Sequence, residues 1–313
     1  MMVTERRSIW VLGGTGFIGS ALVNRLSQDP ANLLALLVHR RTDYRQLENF
    51  NIFKGSLETI DPVWFERYPP DVVFHLARPA GSNMLTRNLR AFRGEKANQR
   101  LVGILEGLRK PPVVVYVSGS LMYGPVESDN PAYEDTPLNP GAFAKAYYRN
   151  EKPWIEAQQR GRLDIRFARP GWIAGPASWF RKFFWEPYRL TSKVPCYGDG
   201  SQMMSVIHLT DCAAMIESLS LHQTPVNALN IFAVDPLSQL EFSTKMASLL
   251  QKETEMIPFR RLVRMYGSTT ARALTLSIPM KTRFPLMHLE SDISHPTVEL
   301  ILSDVVRLLK NEE

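Results

Sequence analysis

The 313-residue chain holds only two cysteines, Cys196 and Cys212. That number excludes a disulfide framework, and neither their spacing nor their company suggests a structural zinc site. A reducing cytoplasm is the expected location. Long apolar runs are also missing, since none reaches the ~20 residues that span a bilayer. The N-terminal "MMVTERRSIWVLGG" runs straight into glycines instead of a secretory core, so a soluble chain without a membrane span is expected. Basic clusters are absent as well. The net charge of +6 is spread over stretches such as "RPAGSNMLTRNLRAFRGEK", where Lys and Arg alternate with other types, and no nucleic-acid partner is expected. Internal repeats and low-complexity tracts are lacking too. With hydrophobic residues at 44% and charged residues at 22%, the composition is that of a packed globular chain.

What the sequence does contain is an alternation. The apolar runs "SIWVLGG", "LLALLVHRR", "DVVFHLA", "VVVYVSG", "IRFARPG" and "ALNIFAV" read as strands, separated by helical patterns such as "FIGSALVNRLSQ" and "ANQRLVGILEGLRK". Near-continuous apolar strands alternating with helices predict an α/β fold, a Rossmann-type doubly wound parallel sheet covered on both faces. Residues 1–176 are expected to form this domain, rejoined by about 205–235. The texture changes after residue 176, where "ASWFRKFFWEPYRLTSKVPCYGDGSQMM" is rich in aromatics and turns. Segments 177–204 and 236–313 are expected to build a smaller substrate-binding cap.

The first chemical motif is "VLGGTGFIGSAL". Gly13, Gly16 and Gly19 recur at three-residue intervals between a strand and a helix that opens at Phe17 and Ile18. Glycines there permit a tight turn and let a pyrophosphate approach backbone N–H groups at the helix N-terminus. The end of the second strand usually carries an acid for the ribose of NAD. Here it reads His39, Arg40 and Arg41. A guanidinium at that place pairs with the 2′-phosphate of NADP, so NADP(H) is preferred over NAD(H).

In "AKAYYRNEKPWIEA", Tyr148 and Lys152 are four apart and share a helix side. A neighbouring ammonium favours a phenolate, which exchanges protons with a substrate oxygen near neutral pH. Tyr147 is spaced the same way from Glu151, a worse partner for a phenolate. Pro153 is an oddity, because a proline inside a helix removes a hydrogen bond, and a local kink is expected.

With these motifs in order, the chain resembles the extended short-chain dehydrogenases/reductases, the NAD-dependent epimerase/dehydratase family. Besides "GGTGFIG" and "YRNEK", the similar stretches include "PPDVVFHLA", "VYVSGSLMYG", "EDTPLNP", "RFARPGWIAGP" and "YGDGSQMMSVIHLTD". The resemblance covers roughly residues 8 to 250. It implies that Tyr148 is the acid/base, that Lys152 holds the nicotinamide ribose, and that a hydroxyl after the strand "VVVYV" binds the reacting oxygen. Counting back from Tyr123 and Gly124, that hydroxyl position falls on Gly119, so Ser120 is expected to move into place, with Ser118 reaching in from the strand end as the alternative; if neither reaches, Tyr148 alone polarises the carbonyl. The resemblance further implies that Asn98 orients the catalytic group, that Ser56 and Leu57 stand at the adenine, that Ala77, Arg78 and Pro79 form a shelf beside the cofactor, and that Pro170 and Gly171 lie near the nicotinamide. A homodimer is implied by analogy.

Two further departures bear on substrate and metal. Nucleotide-sugar members carry an arginine after the "GDG" turn, where this chain has Met203 and Met204. With Trp179, Phe180, Phe183, Phe184 and Trp185 nearby, the cap is expected to take an apolar substrate. His75 and His208 are expected to be packed histidines, because no acid or thiol cluster accompanies them, and no metal is expected. The sequence thus implies an NADP(H)-dependent oxidoreductase acting on a carbonyl or alcohol of a hydrophobic small molecule. The alternatives are a nucleotide-sugar epimerase, reductase or dehydratase, and a catalytically silent NADP-sensing protein.

Overall fold

A computed structural model describes residues 6–39, 50–78, 84–127, 129–223 and 226–312. Its centre is a seven-stranded sheet. Six strands pair in parallel: β1 (Arg7–Leu12), β2 (Asn32–Val38), β3 (Asn51–Lys54), β4 (Val72–His75), β5 (Val113–Val117) and β6 (Asp164–Pro170). The spatial order is β3-β2-β1-β4-β5-β6, and the strand Ala228–Ile231 continues the sheet beyond β6. The order in which successive strands are added reverses between β1 and β4, all of them staying parallel, which opens a crevice at the strand C-termini, where such sheets bind ligands.

β3 is the strand that the apolar runs did not announce. It has four residues, lies at the sheet edge and is half-exposed, so it carries no continuous apolar signal. The other strands follow their runs because both faces are covered. On β1 and its neighbours, Trp10, Leu12, Leu37 and Val73 pack with Trp154 and Phe167 in one buried cluster. Among helices, α1 (Phe17–Leu26) follows β1, α2 (Pro62–Arg67) precedes β4, α3 (Met84–Glu106) links β4 to β5, and α4 (Lys145–Arg160) precedes β6. Asp61 caps α2 by accepting from the Val63 N–H at 3.0 Å, with Pro62 at the first helical position. Pro153 is buried inside α4, which runs unbroken from Lys145 to Arg160.

The chain divides into two compact units. Unit 1 comprises Met1–Ser118, Lys145–Ala168 and Ala213–Leu229; unit 2 comprises Gly119–Ala144, Arg169–Cys212 and Asn230–Glu313. The second unit therefore takes in 119–144, 169–176, 205–212 and 230–235, which the sequence pattern assigned to the Rossmann part. Within unit 2, Phe180, Phe184 and Phe242 are fully buried, and Phe180 stacks on Phe184 with centroids 6.0 Å apart. They pack with Trp185, Tyr197, Met204 and the C-terminal helix Val298–Asn311. This corrects the expectation of an aromatic substrate wall: Phe180, Phe184, Trp185 and Met204 are the core of unit 2, where large apolar side chains are removed from water. No described helix is long and apolar enough to cross a membrane.

Candidate active site

The strand ends of unit 1 converge on a cavity of about 470 Å³. Gly13 and Gly16 line it from the β1 turn, His39 from the end of β2, Ser56 and Leu57 from the segment after β3, and Ala77 and Arg78 from the end of β4. Local backbone chemistry explains the glycines. Gly13 has φ +94°, and a Cβ there would sit 2.8 Å from the Ala77 nitrogen. A Cβ on Gly19 would meet the Gly13 carbonyl at 2.1 Å, so α1 can start directly against the turn only if both are glycine. The helix start is bare: Gly16 at the N-cap offers no side-chain cap, and the first turn carries no acid. Its N–H groups and the positive end of the helix dipole suit an anionic group, as a pyrophosphate requires. The cradle fits a dinucleotide. Phe17 and Ile18 open α1 and are half-exposed. Arg40, Arg41 and Pro79 lie outside the described residues.

Helix α3 contributes residues that the motifs did not point to. Arg90, Arg93, Gly94 and Ala97 all line the cavity. Their spacing of three, one and three places them on one helix face, and this regularity was the available signal within a stretch that otherwise reads as dispersed surface charge. With His39 and Arg78 they give the lining three guanidiniums and an imidazole against the carboxylate of Glu58, a balance that favours a ligand carrying phosphates.

Asn98 is 1% exposed, and its amide joins three elements. Its Oδ1 accepts from Trp154 Nε1 at 3.0 Å and lies 2.8 Å from His75 Nε2, while its Nδ2 donates to Asn150 Oδ1 at 3.3 Å. The donor role at Nδ2 makes Oδ1 the acceptor, so His75 carries its proton on Nε2. Burial holds the His75 pKa down to about 4, against a raising effect of the Asn98 bond and a further lowering by Arg78, and the ring is neutral. His75 is a packed histidine, as expected. Asn150 in turn donates to the carbonyls of Ala91 (3.3 Å) and Ala146 (2.9 Å). It occupies the place that a side chain on Gly94 would need, for a Cβ there would lie 2.0 Å from Asn150 Oδ1.

The register of α4 is the main correction. Tyr148 and Lys152 do share a helix side, but it is the outer one. The Lys152 side chain is 56% exposed and pairs with Glu156 at 3.6 Å. At 3.6 residues per turn, Lys152 lies roughly 160° round the helix from Asn150. The buried face carries Asn150, Glu151, Trp154 and Ala157 instead. Tyr147 stands on the edge of that face, with the Arg78 guanidinium 5.4 Å from its ring centroid. Arg78 itself donates to the Val117 carbonyl at 3.2 Å. Glu151 is 1% exposed and accepts a 2.5 Å hydrogen bond from Ser118 Oγ. The buried side of α4 therefore presents a tyrosine with a glutamate four residues on, where the family resemblance implied a tyrosine and a lysine.

The two serine candidates separate in the same way. Ser118 closes unit 1 at the end of β5, its N–H donating to the Ala168 carbonyl at 2.7 Å. Ser120 is a buried residue of unit 2 that starts a short helical turn, Ser120–Met122. Gly119 between them is extended. Pro170 and Gly171 belong to unit 2, and Gly171 makes room for the Ser205 carbonyl, 2.2 Å from where its Cβ would be. His208 departs from the expectation in its surroundings: His295 and Asp304 accompany it.

These features define a dinucleotide-binding protein of the doubly wound class. A sequence profile of the NAD dependent epimerase/dehydratase family matches residues 9–231, and the chain belongs to that family. No curated protein matches it by sequence. Solved structures do. A dTDP-glucose 4,6-dehydratase from Bacillus anthracis, in complex with NAD, is similar with a TM-score of 0.76 at 18% identity over 98% of this chain and 97% of that one. A UDP-N-acetylglucosamine 4-epimerase from Methanobrevibacter ruminantium gives 0.77 at 18% identity over 99% and 100%. The human epimerase family protein SDR39U1, with NADPH, gives 0.74 at 20% over 96% and 99%.

Proposed function

We propose that the chain is an NADP(H)-dependent oxidoreductase that works in the reductive direction on a small apolar carbonyl compound, with Tyr147 as proton donor. The observation that carries this is the buried face of α4, which sets Tyr147 beside the cavity-lining Arg78 and replaces the lysine by Glu151. Gly13, Gly16, His39, Ser56 and Arg78 would hold the dinucleotide, and His39 with Arg90 and Arg93 favours the additional phosphate of NADP. Bound NADPH supplies a hydride. What the chain supplies is a proton at the oxygen. The Tyr147 phenol carries an O–H, the proton donor that reduction of a carbonyl needs. Ser118 donates its own hydrogen to Glu151 and so fixes the carboxylate. In support of an apolar substrate, unit 2 contains a cavity of about 350 Å³ lined by Leu121, Pro125, Phe143, Ala273 and Leu276, with Arg272 at its wall. Met203 and Met204 follow the "GDG" turn where, by the family resemblance, nucleotide-sugar members carry an arginine, and Met204 lies in the unit 2 core.

Two observations favour other readings. Two of the structural relatives named above, the dTDP-glucose 4,6-dehydratase and the UDP-N-acetylglucosamine 4-epimerase, act on nucleotide sugars, and Gly119 leaves the family's hydroxyl position without a side chain, as a cofactor sensor would tolerate. Calorimetry with NADPH and NADH, followed by NADPH consumption over a panel of apolar carbonyls and nucleotide sugars, separates the three. In the proposed enzyme, Tyr147→Phe keeps NADPH binding and loses turnover by about 10²–10⁴-fold, while Tyr148→Phe and Lys152→Ala keep both. A large loss in Lys152→Ala with an active Tyr147→Phe would overturn the assignment, and tight NADPH binding without any turnover would leave the sensor.

A further inference from the structure

Unit 2 brings together two histidines and an aspartate that are far apart in sequence and take no part in the dinucleotide site. His208 ends the short strand Val206–His208, His295 precedes the C-terminal helix, and Asp304 lies within that helix. One ligand atom from each lies within 4.8 Å of the others. His208 Nε2 is 3.3 Å from Asp304 Oδ2, and His295 Nε2 is 4.0 Å from the same oxygen. The two rings face each other with centroids 3.9 Å apart. We propose that His208, His295 and Asp304 form a structural site for a divalent transition metal of the zinc class, with solvent in the fourth position.

Several features support a site over ordinary packing. His208 is 2% exposed, and its Nε2 is buried without a hydrogen bond among the described residues, although a carboxylate oxygen stands within reach. A cation between them would satisfy both groups. Ligand atoms about 2.0–2.2 Å from a tetrahedral metal are about 3.3–3.6 Å apart, so the 3.3 Å pair already matches, while the 4.0 Å pair and the group as a whole, whose atoms lie within 4.8 Å of one another, must draw in on binding. The outer contacts hold the rings in the orientation that ligation requires. His295 Nδ1 donates to Asp211 Oδ2 at 3.1 Å, which leaves Nε2 bare toward Asp304, and Asp211 is itself fixed by the backbone N–H groups of Ser294 and His295. His208 Nδ1 accepts from the Thr210 N–H at 3.3 Å and lies 2.8 Å from Thr210 Oγ1; with Nε2 ligated, Nδ1 would take up a proton and donate it to that hydroxyl oxygen. Arg307 binds the other oxygen of Asp304. Such imidazole–carboxylate and hydroxyl partners are the usual outer shell of a metal-binding histidine. Two imidazoles and one carboxylate select a first-row dication over calcium or magnesium, which prefer all-oxygen shells. The side chains of His295 and Asp304 are 17% and 23% exposed, which gives an ion a way in. The metal would pin the C-terminal helix to the strand end at His208.

The test uses the full chain, stripped with a chelator and dialysed. Cobalt(II) is titrated by visible absorption and zinc(II) by calorimetry. One equivalent of Co(II) is expected to develop ligand-field bands that Zn(II) abolishes, with a rise in thermal midpoint on adding Zn(II). His295→Ala and Asp304→Asn should lose affinity at least about tenfold, and Asp211→Asn about 10–100-fold. Unchanged NADPH binding and far-ultraviolet circular dichroism show that the variants fold. Nitrogen NMR of the wild-type imidazoles gives an independent reading, since the His208 and His295 Nε2 signals must shift on Zn(II) addition. Absence of saturable one-equivalent binding, unmoved Nε2 signals, or full affinity in both ligand variants would overturn the site.

Discussion

Replacing Gly94 by alanine should destabilise unit 1, although the change favours helix formation in an isolated peptide. The new methyl would be placed 2.0 Å from Asn150 Oδ1, far inside van der Waals contact. Asn150 has nowhere to withdraw without cost, because its amide bonds the Ala91 and Ala146 carbonyls and accepts from Asn98. The gain in helix propensity is about 1 kcal/mol. Against it stand overpacking, about 1–3 kcal/mol, and up to three buried hydrogen bonds at about 1 kcal/mol each. The balance is a net loss of roughly 2–4 kcal/mol. Urea unfolding of Gly94→Ala, Asn150→Ala and the double variant closes a cycle. Removing the amide makes room for the methyl, so the double variant should be no less stable than Asn150→Ala alone, with a coupling of at least about 2 kcal/mol. Because both residues line the dinucleotide cavity, NADPH affinity should fall in Gly94→Ala as well. A neutral or stabilising Gly94→Ala, or strict additivity, would refute the argued contact between α3 and α4.

Two further outcomes follow from buried polar groups. His75 is neutral when folded, with a pKa of about 4 against the usual 6.5, so its contribution is intact above pH 6.5 and is lost as pH falls through that window toward 4. Between pH 7 and pH 5 the loss is about 2 kcal/mol, and urea midpoints of His75→Gln should show a pH dependence flatter by that amount; parallel curves would remove His75 as the cause. Ser118→Ala takes the 2.5 Å donor away from buried Glu151 and should cost about 1–3 kcal/mol, whereas adding Glu151→Met to the same chain should recover part of it; equal losses in the single and double variants would count against the pair.

The sheet was legible because a parallel strand covered on both faces must be apolar along its length, and the glycine turn because only glycine fits at Gly13 and Gly19. The register of α4 was not. Tyr147 with Glu151 and Tyr148 with Lys152 have the same spacing, and choosing between them requires knowing which side meets the sheet. The recurrence of Ala146, Asn150, Pro153, Trp154 and Ala157 on one side carried that information, but it competes with a familiar motif one residue away. The aromatic run from Trp179 to Trp185 was ambiguous for another reason: composition does not distinguish a core from a pocket wall. The grouping of His208 with His295 and Asp304 had no local signal, since it depends on the path taken by nearly a hundred intervening residues.

The interleaving of the two units constrains how the chain can be made. Each unit is assembled from three separate stretches. During synthesis, β6 emerges as an open edge, and its partner strand Ala228–Ile231 follows only after nearly sixty more residues. Until then the amides on the edge of β6 away from β5 have no ladder to join, including the Phe167 N–H that finally donates to the Asn227 carbonyl at 3.0 Å. A nascent chain paused in that interval presents a ready template for intermolecular pairing. Cutting the gene between codons 170 and 228 is therefore expected to yield a chain that aggregates through the open edge of β6 instead of a smaller dinucleotide-binding module.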